Sequence, residues 1–473
     1  MAVLSLPQLI TIDTTCVEYV HPWTDSCRDA TLGLLFHAFP HSLKTYITVY
    51  MFTLIMRRKK LSKEVIKKTV MEILQSTVFL TTHAYGFSTM VCAIRHLVGR
   101  FDMYSASFTP AFLSSLISIH LERPSRRPIL CLYVTNVATE TLFRMAVWRG
   151  WVKSIKHGEI LIFTISSASL LYMFRSDPAA RDTMFSIIRY VVGPYEQAKE
   201  PERAFVVNSP PPSPTERSLR PDNRNVCLYA LIGNLCRLYR RFLKSIKDLS
   251  RSEWCPHPDS CIFYTLQGFV KMVAVGYGVQ VVLGLVLSAK KIFRTPSTVM
   301  QAFWNNKVLN LGAFLGLFSG IYRGTSCALR WWTKRDSENH AIPAGLLAGT
   351  SFWFYPDNTA ALYVMWKALQ IIYCKLIDAG YLPEVPFGTI LLYSFSTAVL
   401  FHAALLEPHN LRSSYYKFLY GLSGGRIAAM DRNPLDSFLL ETSKNHSRVV
   451  EMLKLNPNPK YHFQFFGNTY PKL

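Results

Sequence analysis

The sequence predicts an all-α fold: a polytopic helical membrane protein built from two tandem copies of a four-to-five-helix unit. Three observations predict it. Apolar runs recur along the chain, small residues stripe several of them at a spacing of four, and the second half repeats the first at a fixed offset. Half of the 473 residues are hydrophobic and only 17% are charged, a balance typical of chains that cross a membrane several times. The net charge of +22 points first to nucleic acid. Its basic residues, however, flank apolar runs, as in Arg57-Arg-Lys-Lys60, 123–127 and 290–294, where they face anionic headgroups. The partners this implies are the lipid bilayer and its anionic headgroups, with no nucleic acid.

In the first copy, 1–194, apolar runs fall at 42–56, 73–94, 108–121, 128–147 and 160–174. Several are shorter than the ~20 residues of a straightforward span, so they extend into their flanks, re-enter, or are shielded by neighbours. The start of the chain has neither a basic n-region nor a clean apolar h-region, so targeting is expected to be internal. Inside 128–147, Glu140 and Arg144 lie four apart on one helix face. An ionisable pair at that depth is a candidate for intramembrane function; an ion pair that merely holds two helices together is the alternative.

Residues 195–224 read as a Pro-rich disordered linker. Asn208-Ser-Pro-Pro-Pro-Ser-Pro-Thr215 favours extended backbone, and Ser209 and Ser213, each before a proline, are candidate phosphorylation sites. Residues 225–251 space Leu228, Leu231, Leu235 and Leu238 helically among Arg237, Arg240, Arg241, Lys244 and Lys247. That pattern predicts a basic amphipathic helix, lying on a membrane surface or against a partner.

The second copy, 252–424, has apolar runs at 262–287, 308–321, 341–354, 359–373 and 389–406. Gly312, Gly316, Gly320 and Gly324 stripe one helix face, and Gly345 and Gly349 the next. Small residues four apart let backbones approach closely, which is how helices associate in lipid. With the basic break Arg330-Trp-Trp-Thr-Lys334-Arg335-Asp336 between them, the two stripes predict a membrane hairpin, and such surfaces leave a homo-oligomer open. Residues 425–473 read as a polar, loosely ordered tail.

The duplication is readable at an offset of 230 residues. Leu132-Tyr133-Val134 returns as Leu362-Tyr363-Val364, Gly150 as Gly380, Gly158 as Gly388, Ile160-Leu161 as Ile390-Leu391, and Pro178 as Pro408. Self-similarity of this kind marks a repeated unit. With small gaps, Cys92-Ala-Ile-Arg95 matches Cys327-Ala-Leu-Arg330, and His21-Pro22 to Cys27 matches His257-Pro258 to Cys261. Gln370 and Cys374 stand where the first copy has Glu140 and Arg144, but Lys367 is close by. A Glu140–Lys367 pair across the copies is therefore expected, at an interface where duplicated transporters place their sites.

Chemistry-bearing motifs are few. Cys16, His21 and Cys27 in one copy, and Cys255, His257 and Cys261 in the other, offer zinc-type ligands, and two such knuckles sharing one ion is one arrangement. Neither triad has Cys-x-x-Cys spacing, so helix starts with buried thiols are the preferred reading, with no metal and no cofactor. Gly421-Leu-Ser423-Gly-Gly425 fits a nucleophile elbow by letter, yet follows a helical run and reads as a helix stop. No Walker A loop, dinucleotide fingerprint or His-Glu-x-x-His is present, and no enzyme activity is expected.

Ala138-Thr-Glu140-Thr-Leu-Phe-Arg144-Met, Leu311-Gly-Ala-Phe-Leu-Gly316, Gly324-Thr-Ser-Cys327 and Leu411-Arg-Ser-Ser-Tyr-Tyr-Lys-Phe-Leu419 resemble the transmembrane protein 135 family, a peroxisomal membrane protein family. More distantly, Arg335, Asp336, Ala344, Gly345 and Gly349 resemble a pattern of the mitochondrial preprotein translocase and amino-acid transporter family, with a different Arg–Asp spacing. The first resemblance implies a multi-pass protein of mitochondrial and peroxisomal membranes. It further implies a role in the balance of mitochondrial fission and fusion, with a dynamin-like fission GTPase as partner, in peroxisome organisation, and in lipid or cholesterol handling. A transporter or conduit for lipid, cholesterol or small metabolites at the repeat interface is the alternative.

Overall fold

A computed structural model of the chain describes residues 10–57, 62–177, 182–197, 244–292 and 306–457, with Arg241 and Phe303 besides. Most of the linker, including Ser209 and Ser213, and most of the basic amphipathic segment lie outside the described residues.

Helices account for nearly all of the regular structure. The first copy contributes α1 (Cys16–Tyr19), α2 (Cys27–Arg57), α3 (Lys63–Val98), α4 (Phe108–Ser118), α5 (Arg127–Trp148), α6 (Gly158–Ser176) and α7 (Thr183–Val192). The second contributes α8 (Cys261–Ile292), α9 (Asn306–Thr333), α10 (Ala341–Gly349), α11 (Asn358–Asp378), α12 (Gly388–Leu406) and α13 (Ser413–Leu422), followed by α14 (Arg426–Ala429) and α15 (Thr442–Met452). A two-residue antiparallel ladder joins β1 (Thr11–Ile12) to β2 (Phe101–Asp102). Among the described residues, four helices are long and apolar enough to cross a membrane: α3, α8 over Cys261–Val286, α11 and α12. Along α8 the apolar side chains Ile262, Leu266, Val270, Val282 and Val286 are exposed, as a lipid-facing surface requires. The chain is an all-α, multi-pass membrane protein.

The copies correspond helix for helix, α2 with α8 through α7 with α13. Even the joints repeat. Gly150 and Gly380 take φ of +75° and +77° just past α5 and α11, the left-handed turn that glycine makes without a Cβ penalty. In each case the next residue's amide reaches back to the helix, Trp151 to Ala146 O and Tyr381 to Leu376 O, both at 2.9 Å. His157 and Phe387 then take φ of +62° and +59° before α6 and α12.

The compact units do not follow the copies. One consists of 1–154 with 373–473, the other of 155–372. In the first unit α12 packs on α4 and α5; in the second α6 packs on α10. Each copy thus gives its fifth helix to the third helix of the other copy, and α12 packs on the fourth, α5, as well. A sequence division into 1–194 and 252–424 marks the duplication, whereas packing divides the chain elsewhere.

The two glycine-striped helices, α9 and α10, do pack on each other, but their stripes are turned to other helices. Gly312 to Gly324, on α9, pack against α8, and a Cβ added at Gly276 would stand 2.8 Å from the Cα of Gly312. Gly345 and Gly349, on α10, pack against α6, where a Cβ at either would stand 2.7 Å from the Cα of Ala168 or of Thr164. The basic break between the stripes begins inside the protein, since Arg330 is fully buried.

The tail is corrected too. Residues 425–457 fold onto the first unit, with Leu435, Phe438, Val449 and Val450 buried. Polar composition concealed a sparse but sufficient apolar stripe. Gly424 and Gly425, both at positive φ, end α13 as a helix stop.

Candidate functional site

The ionisable groups singled out in the sequence are all neutralised. Glu140, buried on α5, accepts from Arg144 Nη2 at 2.6 Å one turn on, and its second oxygen takes Arg412 at the start of α13. Lys367 on α11 instead donates to Asp182 Oδ2 at 2.8 Å and to Gln370 Oε1 at 3.1 Å. The expected Glu140–Lys367 pair is therefore corrected: each group has its partners within its own unit. Asp182 and Arg412 are themselves equivalent at the offset of 230. The duplication keeps a bridge from the fourth helix of each copy to the start of the other copy's sixth helix and reverses its sign, acid to base in one unit, base to acid in the other.

A second buried network missed by sequence reading centres on Arg330. Its guanidinium donates to both oxygens of Glu196, at 3.2 and 2.8 Å, and through Nε to Asp336 at 2.8 Å. Arg175 also pairs with Asp336, and Tyr264 donates to Glu196 at 3.2 Å. Fork-to-fork pairing of this kind fixes geometry as well as charge.

The cysteine–histidine sets are the site that the fold assembles. Cys16, His21 and Cys27, on and around the first two helices, meet Cys92 of α3. Cys255, His257 and Cys261 meet Cys327 of α9. In each cluster the four ligand atoms lie within 4.8 Å of one another, and each is complete within its unit, so two knuckles sharing one ion is not the arrangement found. His21 Nε2 stands 3.7 Å from Cys92 Sγ, and His257 Nε2 3.3 Å from Cys327 Sγ. Cys255 Sγ and Cys261 Sγ are 3.6 Å apart. The other ring nitrogen is fixed in both cases: His21 Nδ1 is 2.8 Å from Thr24 O and His257 Nδ1 2.7 Å from Asp259 O. A carbonyl only accepts, so Nδ1 carries the proton and Nε2 presents its lone pair to the thiols.

Hydrogen bonds within each cluster favour one thiolate at its neighbours' expense: Cys16 and Cys255 are pulled down while the half-buried Cys92 and the buried Cys327 beside them are pushed up. The Cys92 thiol, opposed by burial and helped by His21, holds Cys16 at about 5. Cys327, likewise opposed by burial and helped by His257 and Cys261, holds Cys255 at about 4. The fourth ligands were visible as the matched Cys92 and Cys327, but their place on a long helix far along the chain hid their connection to the triads. An open apolar groove of about 1030 Å³ runs between α8 and α9 beside Cys261 and Cys327, lined by Leu266, Phe269, Ile321 and Trp331.

Residues 13–147 match the family model of the N-terminal cysteine-rich region of Transmembrane protein 135. That stretch contains every ligand of the first cluster. No solved structure matches the chain.

Proposed function

We propose that the chain, whose residues 13–147 match the cysteine-rich region of Transmembrane protein 135, is a member of that family, a protein of mitochondrial and peroxisomal membranes that shifts the balance of mitochondrial dynamics towards fission. It does so through a dynamin-like GTPase and also takes part in peroxisome organisation, without catalysis of its own. The observation that favours this regulatory reading is the state of Glu140. An ionisable group that serves translocation must be free to change partner or protonation, whereas Glu140 is held by two guanidinium groups at once.

The test is mitochondrial length in cells lacking the protein, rescued with wild type or with Glu140→Gln. Equal rescue is expected, while replacing the Pro-rich linker or the basic segment after it abolishes rescue. A Glu140→Gln variant that is stably made, correctly placed and inert would defeat the proposal. The second reading, a conduit for lipid, cholesterol or small metabolites, is favoured by the apolar groove between α8 and α9, which lies within the second copy rather than between copies.

A further inference from the structure

We propose that the protein is a two-zinc protein, with one structural zinc ion held by Cys16, His21, Cys27 and Cys92 and a second held by Cys255, His257, Cys261 and Cys327. The distances fit a single tetrahedral ion. Ligand distances of about 2.3 Å to thiolate and about 2.0 Å to imidazole set tetrahedron edges of about 3.8 Å between sulfurs and about 3.6 Å between sulfur and nitrogen. The observed 3.6 Å for Cys255–Cys261, with 3.7 and 3.3 Å for the His–Cys edges, lie close to those values.

Competing explanations fit less well. A disulfide needs two sulfurs at about 2.05 Å; all six thiols are free, and an odd number of them surrounds each histidine. A two-iron cluster separates the ligands of one iron from those of the other by the width of the cluster, which spans within 4.8 Å do not allow. Calcium and magnesium take oxygen ligands, and the clusters offer none.

Second-shell geometry points the same way independently. A metal-bound histidine donates its remaining N–H to a carbonyl or carboxylate, and both His21 and His257 do so to a backbone oxygen two or three residues on. The duplication supplies the last observation. The cluster's first two intervals differ between copies, five and six residues in one and two and four in the other, yet the same four ligand types converge. Packing alone has no reason to restore a ligand set across such a change.

With four protein ligands each site is closed, which is the structural rather than the catalytic arrangement. Each ion would clasp the irregular segment at the start of a copy to the copy's second long helix. Arg95 and Arg330, one turn beyond the helical cysteine, hold neighbouring segments, Arg95 through the carbonyls of Asp13 and Thr14 and Arg330 through Glu196.

The test is metal content of the full chain, purified in detergent under reducing conditions without chelator and measured by elemental mass spectrometry. Two zinc ions per chain are expected, falling to one in Cys92→Ser and to one in Cys327→Ser. Because those variants can misfold, wild type is also titrated with an organomercurial in the presence of a chromogenic chelator, and two equivalents of zinc are expected to leave as the thiols react. Cobalt substitution of the same wild-type protein should give thiolate-to-cobalt charge transfer with tetrahedral d–d bands. Wild type that lacks stoichiometric zinc and takes up no cobalt overturns the proposal, as does stoichiometric iron in its place, or oxidised cysteine pairs within a cluster by intact-mass analysis.

Discussion

At Glu140 one carboxylate answers two arginines, and at Lys367 the corresponding bridge is built with its signs reversed. Such pairs are hard to remove one partner at a time, because the remaining charge is left without compensation. A double-mutant cycle with Glu140→Gln and Arg412→Gln, read by thermal unfolding in detergent, is expected to give a coupling of about 1–3 kcal/mol. Coupling near zero would mean that the two groups meet only incidentally. The existence of an ion pair at this depth was legible from Glu140 and Arg144 at i and i+4. Its third member was not, since Arg412 belongs to the other copy and nothing in periodicity says which helix start a buried carboxylate will meet. The cysteine clusters failed in the same manner: three ligands lie close in sequence and the fourth is brought by folding.

Helices α8 and α9 touch backbone to backbone where Gly276 meets Gly312, and α6 and α10 do so at Gly345. Gly276→Ala and Gly345→Ala should each cost about 1–3 kcal/mol, as overpacked contacts do. Gly278 supplies the control, because a Cβ there meets nothing within 4 Å; Gly278→Ala should be neutral or stabilising by up to about 1 kcal/mol. Detergent melting of the three variants separates close approach from helix propensity. That these glycines pack helices was readable from their spacing of four; their partners were not, because a stripe shows a face and not what covers it.

The folded C-terminal element carries its own pH dependence. His446 is buried on α15 with Nε2 3.1 Å from the Tyr416 hydroxyl, and burial, reinforced by Arg432, pushes its imidazole down to about 3. The unfolded segment takes up that proton near pH 6.5. The depressed value therefore contributes stability that is complete above about pH 6.5 and is lost as pH falls towards 3, at roughly 1.4 kcal/mol per unit. Proteolysis within 413–457 should rise roughly fivefold between pH 6.5 and 5.5 and roughly tenfold over the next unit, and His446→Gln should flatten that dependence. This element was missed in the sequence because its few apolar residues, Leu435, Phe438, Val449 and Val450, are diluted among charged ones.

For the whole molecule the duplication was legible and the exchange was not. Identities at an offset of 230 reveal that α6 and α12 are equivalents, but equivalence leaves open whether each stays with its own copy or crosses. Because they cross, 1–197 and 244–473 expressed separately should each remain protease-sensitive, whereas co-expressed they should copurify and melt as a complex. Stable, independently folded halves would contradict the packing. The same exchange imposes an order on biogenesis. Helices α4 and α5 are complete by Trp148, but α12, which fills the space against them, begins only at Gly388. At roughly 5–20 residues per second of synthesis, the first unit must stand open in the membrane for on the order of tens of seconds. During that interval its polar inner face, with Ser115, Thr135 and Glu140, has to be sheltered by insertion machinery rather than by the protein itself.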